Sequence, residues 1–272
     1  MTLPTRRSLL TGFAATFVGR ILFRGTPANP LLAQRSSTLA AASEPQRFRF
    51  TDIASRSVFP YRTNNDFRGR KYFPQPMCCG HAAFDYDNDG RMDLFFANEA
   101  TLPGLEKSSP TFENCLLHNR GDGTFEDVTT RTGLGGASLG FSFGVAAADY
   151  DNDGYDDLFV CNLGRNALYH NNGEGTFTDV TSGSGLEHKP PNVLSVGAAW
   201  FTNYTVWTPE TDLRCKMDDK HDEYCSPTVY KSVPSRLYRN LGAGRFEGVT
   251  ESTGIGKVLG KGMGYCHRRF QR

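Results

Sequence analysis

Three stretches of the chain alternate apolar and polar positions with the two-residue period of a half-buried strand, and a glycine-rich turn interrupts each once. Residues 116–129 read LLHNRGDGTFEDVT, residues 168–181 read LYHNNGEGTFTDVT, and residues 237–250 read LYRNLGAGRFEGVT. Each is an apolar pair, a turn of form N-x-G-x-G and an aromatic/β-branched segment, which predicts a β-hairpin whose turn glycines take positive φ. A further copy of the second strand is expected at Phe50-Thr51-Asp52-Ile53. Between the hairpins lies a second repeated pattern, GHAAFDYDNDGRMDLFFAN at 80–98 and GVAAADYDNDGYDDLFVCN at 144–162. In it a small-residue strand enters an acidic loop and a large apolar strand leaves it. Two hairpins per unit predict four-stranded sheets, and no helical apolar period appears in the repeated body. The expected fold is all-β: a partial β-propeller of about three to four repeat units, too few to close a ring of ~4–8 blades.

The acidic loops carry the candidate chemistry. Asp85, Asp87, Asp89 and Asp93 stand at positions 1, 3, 5 and 9 of one loop, and Asp149, Asp151, Asp153 and Asp157 repeat them in the other. Carboxylates so crowded repel one another unless a cation sits among them. Oxygen donors without His or Cys at ligand spacing suit Ca²⁺, so two calcium sites are expected. Gly90 and Gly154 at position 6 let the chain turn, so that the main-chain carbonyls of Arg91 and Tyr155 face the ion as well. A helical EF-hand needs an acid at position 12, where this chain has Phe96 and Val160. The loops therefore belong to hairpins.

The D-Y-D-N-D-G-x-x-D loops, the Phe143-Gly144 step and the N-x-G-x-G-x-F turns resemble FG-GAP/VCBS repeats, the blades of integrin-type β-propellers. The wording is most similar to bacterial secreted proteins of the cartilage-acidic-protein-like (ASPIC/UnbV) group. The resemblance runs from about Phe50 to Gly264 and implies calcium at the eight loop aspartates; the module that names the group is not present in this sequence.

Composition narrows the function classes. With 38% hydrophobic and 12% aromatic residues the chain can build a core, and its 29 Gly and 14 Pro argue against a helical bundle. The net charge of +1 averages unlike parts: residues 1–42 hold Arg6, Arg7, Arg20, Arg24 and Arg35 and no acid, leaving 25 basic against 29 acidic residues in the rest. A mildly acidic body without a basic stripe argues against nucleic-acid binding. No apolar run reaches the ~18 residues of a membrane span. Arg6-Arg7 ahead of the short apolar run Leu9–Val18 predicts an export signal over 1–42, of twin-arginine or general secretory type, with Ala40-Ala41-Ala42 as cleavage pattern. The repeat region then spans 43–264, in a periplasmic, secreted or cell-surface location.

An oxidising compartment makes Cys215 and Cys225 a predicted disulfide, and Cys79 with Cys115 a second candidate pair; Cys78, Cys161 and Cys266 have no evident partner. The third unit opens at Gly197–Asn203 without any acidic loop, so no calcium is expected there, and Tyr204–Ser235 is expected to be a long loop. His81, His118 and His170 form no catalytic grouping by spacing; His118 and His170 hold equivalent repeat positions, which points to packing. Arg120-Gly121-Asp122 fills the variable slots of a repeat turn and carries no separate meaning. The reading that results is a non-catalytic adhesion or binding scaffold for a protein or carbohydrate ligand; the alternative is the non-catalytic repeat region of a larger extracellular hydrolase.

Residues 265–272 continue no blade. Codons for Gly264–Arg272 read one base later can spell GIATADFN, parallel to Gly144–Asp151, so a frame shift near residue 264 and further blades beyond it are expected. Sequencing the gene past its stop codon should show more repeats in the later frame; a frame without them rejects the idea.

Overall fold

The computed structural model describes residues 50–57, 59, 61–77, 79–187, 193–197 and 202–261. The expected export signal, the tail 265–272, Cys78, Cys266 and the Ala198–Phe201 link of the third unit lie outside the described residues.

Strands β1 (His81–Phe84), β2 (Asp93–Phe96), β3 (Cys115–Asn119) and β4 (Phe125–Asp127) form an antiparallel sheet in the order β1-β2-β3-β4. Strands β5 (Ser142–Ala148), β6 (Asp157–Asn162), β7 (Ala167–Asn171) and β8 (Phe177–Asp179) repeat it. The registers match pair for pair, Leu94 facing Leu117 as Leu158 faces Tyr169, and His118 facing Glu126 as His170 faces Thr178. The fold is nearly all-β, with several antiparallel sheets and none closed among the described residues, as a partial β-propeller has. Among those residues no helix is long and apolar enough to cross a membrane.

The third unit departs from expectation. Strands β9 (Val193–Gly197) and β10 (Thr202–Val206) form one two-stranded sheet. The chain then makes β11 (Cys215–Lys216) with β12 (Asp222–Glu223), and β13 (Val233–Pro234), before the hairpin β14 (Tyr238–Gly242)–β15 (Arg245–Gly248) and a final short strand β16 (Leu259–Gly260), which pairs with β13. The two hairpins of this unit are thus separate sheets, because β10 turns into an insertion that packs elsewhere. What was expected as a long loop from Tyr204 is strand through Val206 and a folded insertion after it. Phe50–Ile53 is coil, not strand; it keeps the local signature of its repeats, since Ala54 N–H donates to Asp52 Oδ1 as Thr129 N–H does to Asp127 and Thr181 N–H to Asp179.

The first two sheets pack face to face through Phe84, Phe95, Leu116, Leu134, Leu158 and Phe177. The approach is close enough that a Cβ on Gly80 would clash with the Phe143 carbonyl oxygen, which accepts the Gly80 N–H. A repeated seam joins successive units. Asn171 Nδ2 donates to the Tyr86 carbonyl at 2.7 Å, and Asn240 Nδ2 to the Tyr150 carbonyl at 2.6 Å. The tyrosine rings lie 6.5 Å from Phe177 and 5.7 Å from Phe246 respectively.

The insertion is held by the Cys215–Cys225 disulfide, as expected, and by the buried Asp212. Asp212 accepts from Trp207 Nε1, from Phe73 N–H and from the Arg70 guanidinium, fastening the insertion to the segment before β1. Phe73, Phe141, Leu163, Tyr204 and Trp207 fill the space beneath. The candidate pair Cys79–Cys115 does not form; both are free thiols. Phe96 faces His81 on one side and Cys115 on the other, so β2 lies between Cys115 and β1, which Cys79 precedes by two residues. Two strand spacings are about 9.6 Å, beyond the ~7 Å that a disulfide spans.

One buried charge organises the end of β2. Lys107 Nζ donates to the carbonyls of Asn98, Glu99 and Phe112 at 2.5, 2.8 and 2.8 Å, and the Glu99 side chain is fully buried nearby. Burial pulls Lys107 down to about 7 and pushes Glu99 up to about 8, yet three carbonyl acceptors saturate an ammonium, so the charged lysine is the form this geometry holds. Lys107→Met should lower unfolding stability by several kcal/mol in denaturant titrations, because it leaves three buried carbonyls without their donor at ~1–3 kcal/mol each.

Candidate metal centres in the two acidic loops

The loops 85–93 and 149–157 join β1 to β2 and β5 to β6. Their shape follows from their own sequence. Asn88 and Asn152 sit at φ 58° and 63°, where Asn is among the few side chains tolerated, and Gly90 and Gly154 sit at 89° and 99°, as expected of position 6. Asp85 accepts the Asp89 and Gly90 N–H groups, both at 3.0 Å, and Asp149 accepts those of Asp153 and Gly154, both at 3.1 Å.

The ninth position closes each loop onto its sheet. Asp93 Oδ2 accepts Tyr86 N–H at 3.1 Å and Oδ1 accepts Asn119 N–H at 2.8 Å; Asp157 does the same with Tyr150 and Asn171 at 3.1 and 2.8 Å. Both carboxylates are buried, which pushes Asp93 up and Asp157 up to about 6 against the opposing pull of the two amides. Asp89 and Asp153 cap the position-7 amides of Arg91 and Tyr155 at 2.8 and 2.9 Å. The Arg91 side chain pairs with Asp89 and donates to the Asn119 carbonyl, and the Tyr155 ring lies against Gly173.

Asp87 and Asp151 differ from the rest. Their Oδ1 atoms are buried and make no hydrogen bond among the described residues. Oxygens of Asp85, Asp87 and Asp93 lie within 4.8 Å of one another, as do those of Asp149, Asp151 and Asp157, so each loop brings together donors that could hold a metal ion. Carboxylate oxygens, one in each loop buried and unspent, fit a hard divalent cation.

The structure also brings in two residues that the sequence reading assigned to packing. His118 Nδ1 lies 3.2 Å from Asp93 Oδ1 and 3.5 Å from Asp87 Oδ2; His170 Nδ1 lies 3.3 Å from Asp157 Oδ1 and 3.3 Å from Asp151 Oδ2. Each ring meets its loop tyrosine edge to face, His118 on Tyr86 and His170 on Tyr150. The signal was in the register: Leu94 faces Leu117, so the next residue of β3 stands opposite Asp93.

The model of the FG-GAP-like repeat family matches residues 85–160 and 149–201, the segments that carry both loops, which supports a repeat protein of FG-GAP type. No curated protein matches the sequence. Among solved structures, an Agrocybe aegerita lectin described for specific recognition of non-reducing terminal N-acetylglucosamine aligns over 63% of this chain and 37% of its own, at 14% identity and a TM-score of 0.29. This chain thus spans well under half of that lectin's length.

Positions 3 and 9 should separate by mutation. Asp93→Asn or Asp157→Asn should cost ~1–3 kcal/mol even in chelator, because each weakens two backbone bonds to a buried carboxylate. Asp87→Asn and Asp151→Asn should leave the melting temperature in chelator unchanged or higher, and should abolish the gain on adding a divalent cation. The opposite ranking in thermal melts would remove Asp87 and Asp151 from the ligand set.

Proposed function

We propose that the chain is an exported, calcium-stabilised repeat scaffold that binds a protein or carbohydrate ligand and has no catalytic centre in the repeats. The observation that carries this reading is the duplication of the acidic loop, hydrogen bond for hydrogen bond, with Asp87 Oδ1 and Asp151 Oδ1 each left buried and unspent. Identical constellations support a structural role, since an active site is normally a single asymmetric one. Oxygen donors and the millimolar calcium of an exterior compartment favour Ca²⁺.

The ligand's place is supported separately. A cleft of about 570 Å³ beside the first sheet is lined by Tyr61, Asn64, Asn98, Thr111, Glu113 and Asn114 among others, and by none of the loop aspartates. Tyr61 stacks on Phe96 at 5.0 Å. An aromatic ring among amides and hydroxyls suits a polar ligand, with the ions serving as staples at a distance.

At a site Kd near ~10⁻⁴ M, millimolar Ca²⁺ contributes about 1.4 kcal/mol per loop. Titrating the chelated protein should therefore raise its melting temperature by ~5–10 °C for two filled sites. A melting curve identical in chelator and in calcium rejects the reading.

A further inference from the structure

The two histidines are the least explained groups of the loops. Nδ1 of His118 and of His170 are both buried and make no hydrogen bond among the described residues, although carboxylate oxygens stand 3.2–3.5 Å away. The nearest of those oxygens, Asp93 Oδ1 and Asp157 Oδ1, already accept the Asn119 and Asn171 N–H groups. A buried ring nitrogen left unpaired costs about 1–3 kcal/mol, and the same cost recurs in both units. A packing role explains the ring and leaves the nitrogen unaccounted for.

The third unit supplies the control. Its hairpin LYRN places Arg239 in the slot of His118 and His170, and this unit has no acidic loop in its sequence. Arg239 turns to Glu247 across its own hairpin instead. The slot thus holds an imidazole beside each acidic loop and a guanidinium, which cannot ligate a metal, where the loop is missing. The imidazoles also fall among the oxygens as ligands would: His118 groups with Asp87 and Asp89, and His170 with Asp151 and Asp153, with donor atoms within 4.8 Å of one another, Nδ1 facing Asp87 and Asp151 and Nε2 lying 3.9 Å from Asp89 and Asp153. Donors around an octahedral ion stand about 3.0–3.4 Å apart for bonds of ~2.1–2.4 Å, close to the spacings here. A depression of about 350 Å³, lined by Asp151 and His170 together with Tyr150, Gly244 and Arg245, gives the second cluster an access route.

We propose that His118 and His170 are metal ligands through Nδ1, and that the resulting mixed oxygen–nitrogen sites take a first-row transition ion of the Mn²⁺–Zn²⁺ class in the same place as Ca²⁺. The proposal rests on the reading of the loops as cation sites and adds a donor that discriminates between cations. Calcium gains little from an imidazole, whereas a transition ion gains a bond that its softer character favours. Edge-to-face contact with Tyr86 and Tyr150 holds the two ring planes.

The test uses the full chain and its His118→Gln/His170→Gln double variant, titrated calorimetrically with Ca²⁺, Mn²⁺ and Zn²⁺. The wild-type chain should bind two Mn²⁺ ions, and the double variant should lose at least tenfold in Mn²⁺ and Zn²⁺ affinity while its Ca²⁺ affinity stays within about threefold. Electron spin-echo modulation of the Mn²⁺-loaded wild-type protein should show imidazole ¹⁴N coupling, which does not depend on the variant folding. Calcium binding with no nitrogen coupling and no effect of the histidines overturns this proposal and leaves the calcium reading intact. Absence of binding by every cation overturns both.

Discussion

Everything in the two repeats hangs on a buried carboxylate that accepts two backbone amides from different places. Asp93 joins its own loop, at Tyr86, to the following hairpin, at Asn119; Asp157 joins Tyr150 to Asn171. The Asn171 side chain reaches back to the Tyr86 carbonyl, and the Asn240 side chain to that of Tyr150. The result is one unbroken relay, Asn119–Asp93–Tyr86–Asn171–Asp157–Tyr150–Asn240, across three units. Loop, sheet and seam are therefore a single hydrogen-bonded object, and a charge placed in a loop acts on the packing of the blades.

That arrangement explains why one loop contains both strongly and weakly committed acids. Positions 1 and 9 spend their oxygens on main-chain amides and fold the loop. Position 3 spends its buried oxygen on nothing among the described residues. Positions 1 and 9 thus belong both to the loop's hydrogen bonds and to its donor groups, while position 3 keeps an oxygen that the loop's own shape does not use.

The hairpins and loops were legible in the sequence because they are set locally. A two-residue period, an N-x-G-x-G turn and glycines that need positive φ leave few alternatives, and the first two sheets follow with matching register. Long-range placement was not legible. Nothing local tells β10 to leave its blade for an insertion built around Trp207 and Asp212, or tells Phe50–Ile53 to remain coil. The candidate pair Cys79–Cys115 failed for a countable reason, the strand between them. That His118 and His170 stand beside the loop aspartates was not legible from spacing along the chain, because it is set by register across it; once Leu94 is set against Leu117, the next residue can only stand beside Asp93.

A direct bond runs between the loops as well, from Asn88 Nδ2 to the Gly154 carbonyl at 3.0 Å. A change in the shape of one loop is therefore felt at the turn of the next, so neither loop is set by its own hairpin alone.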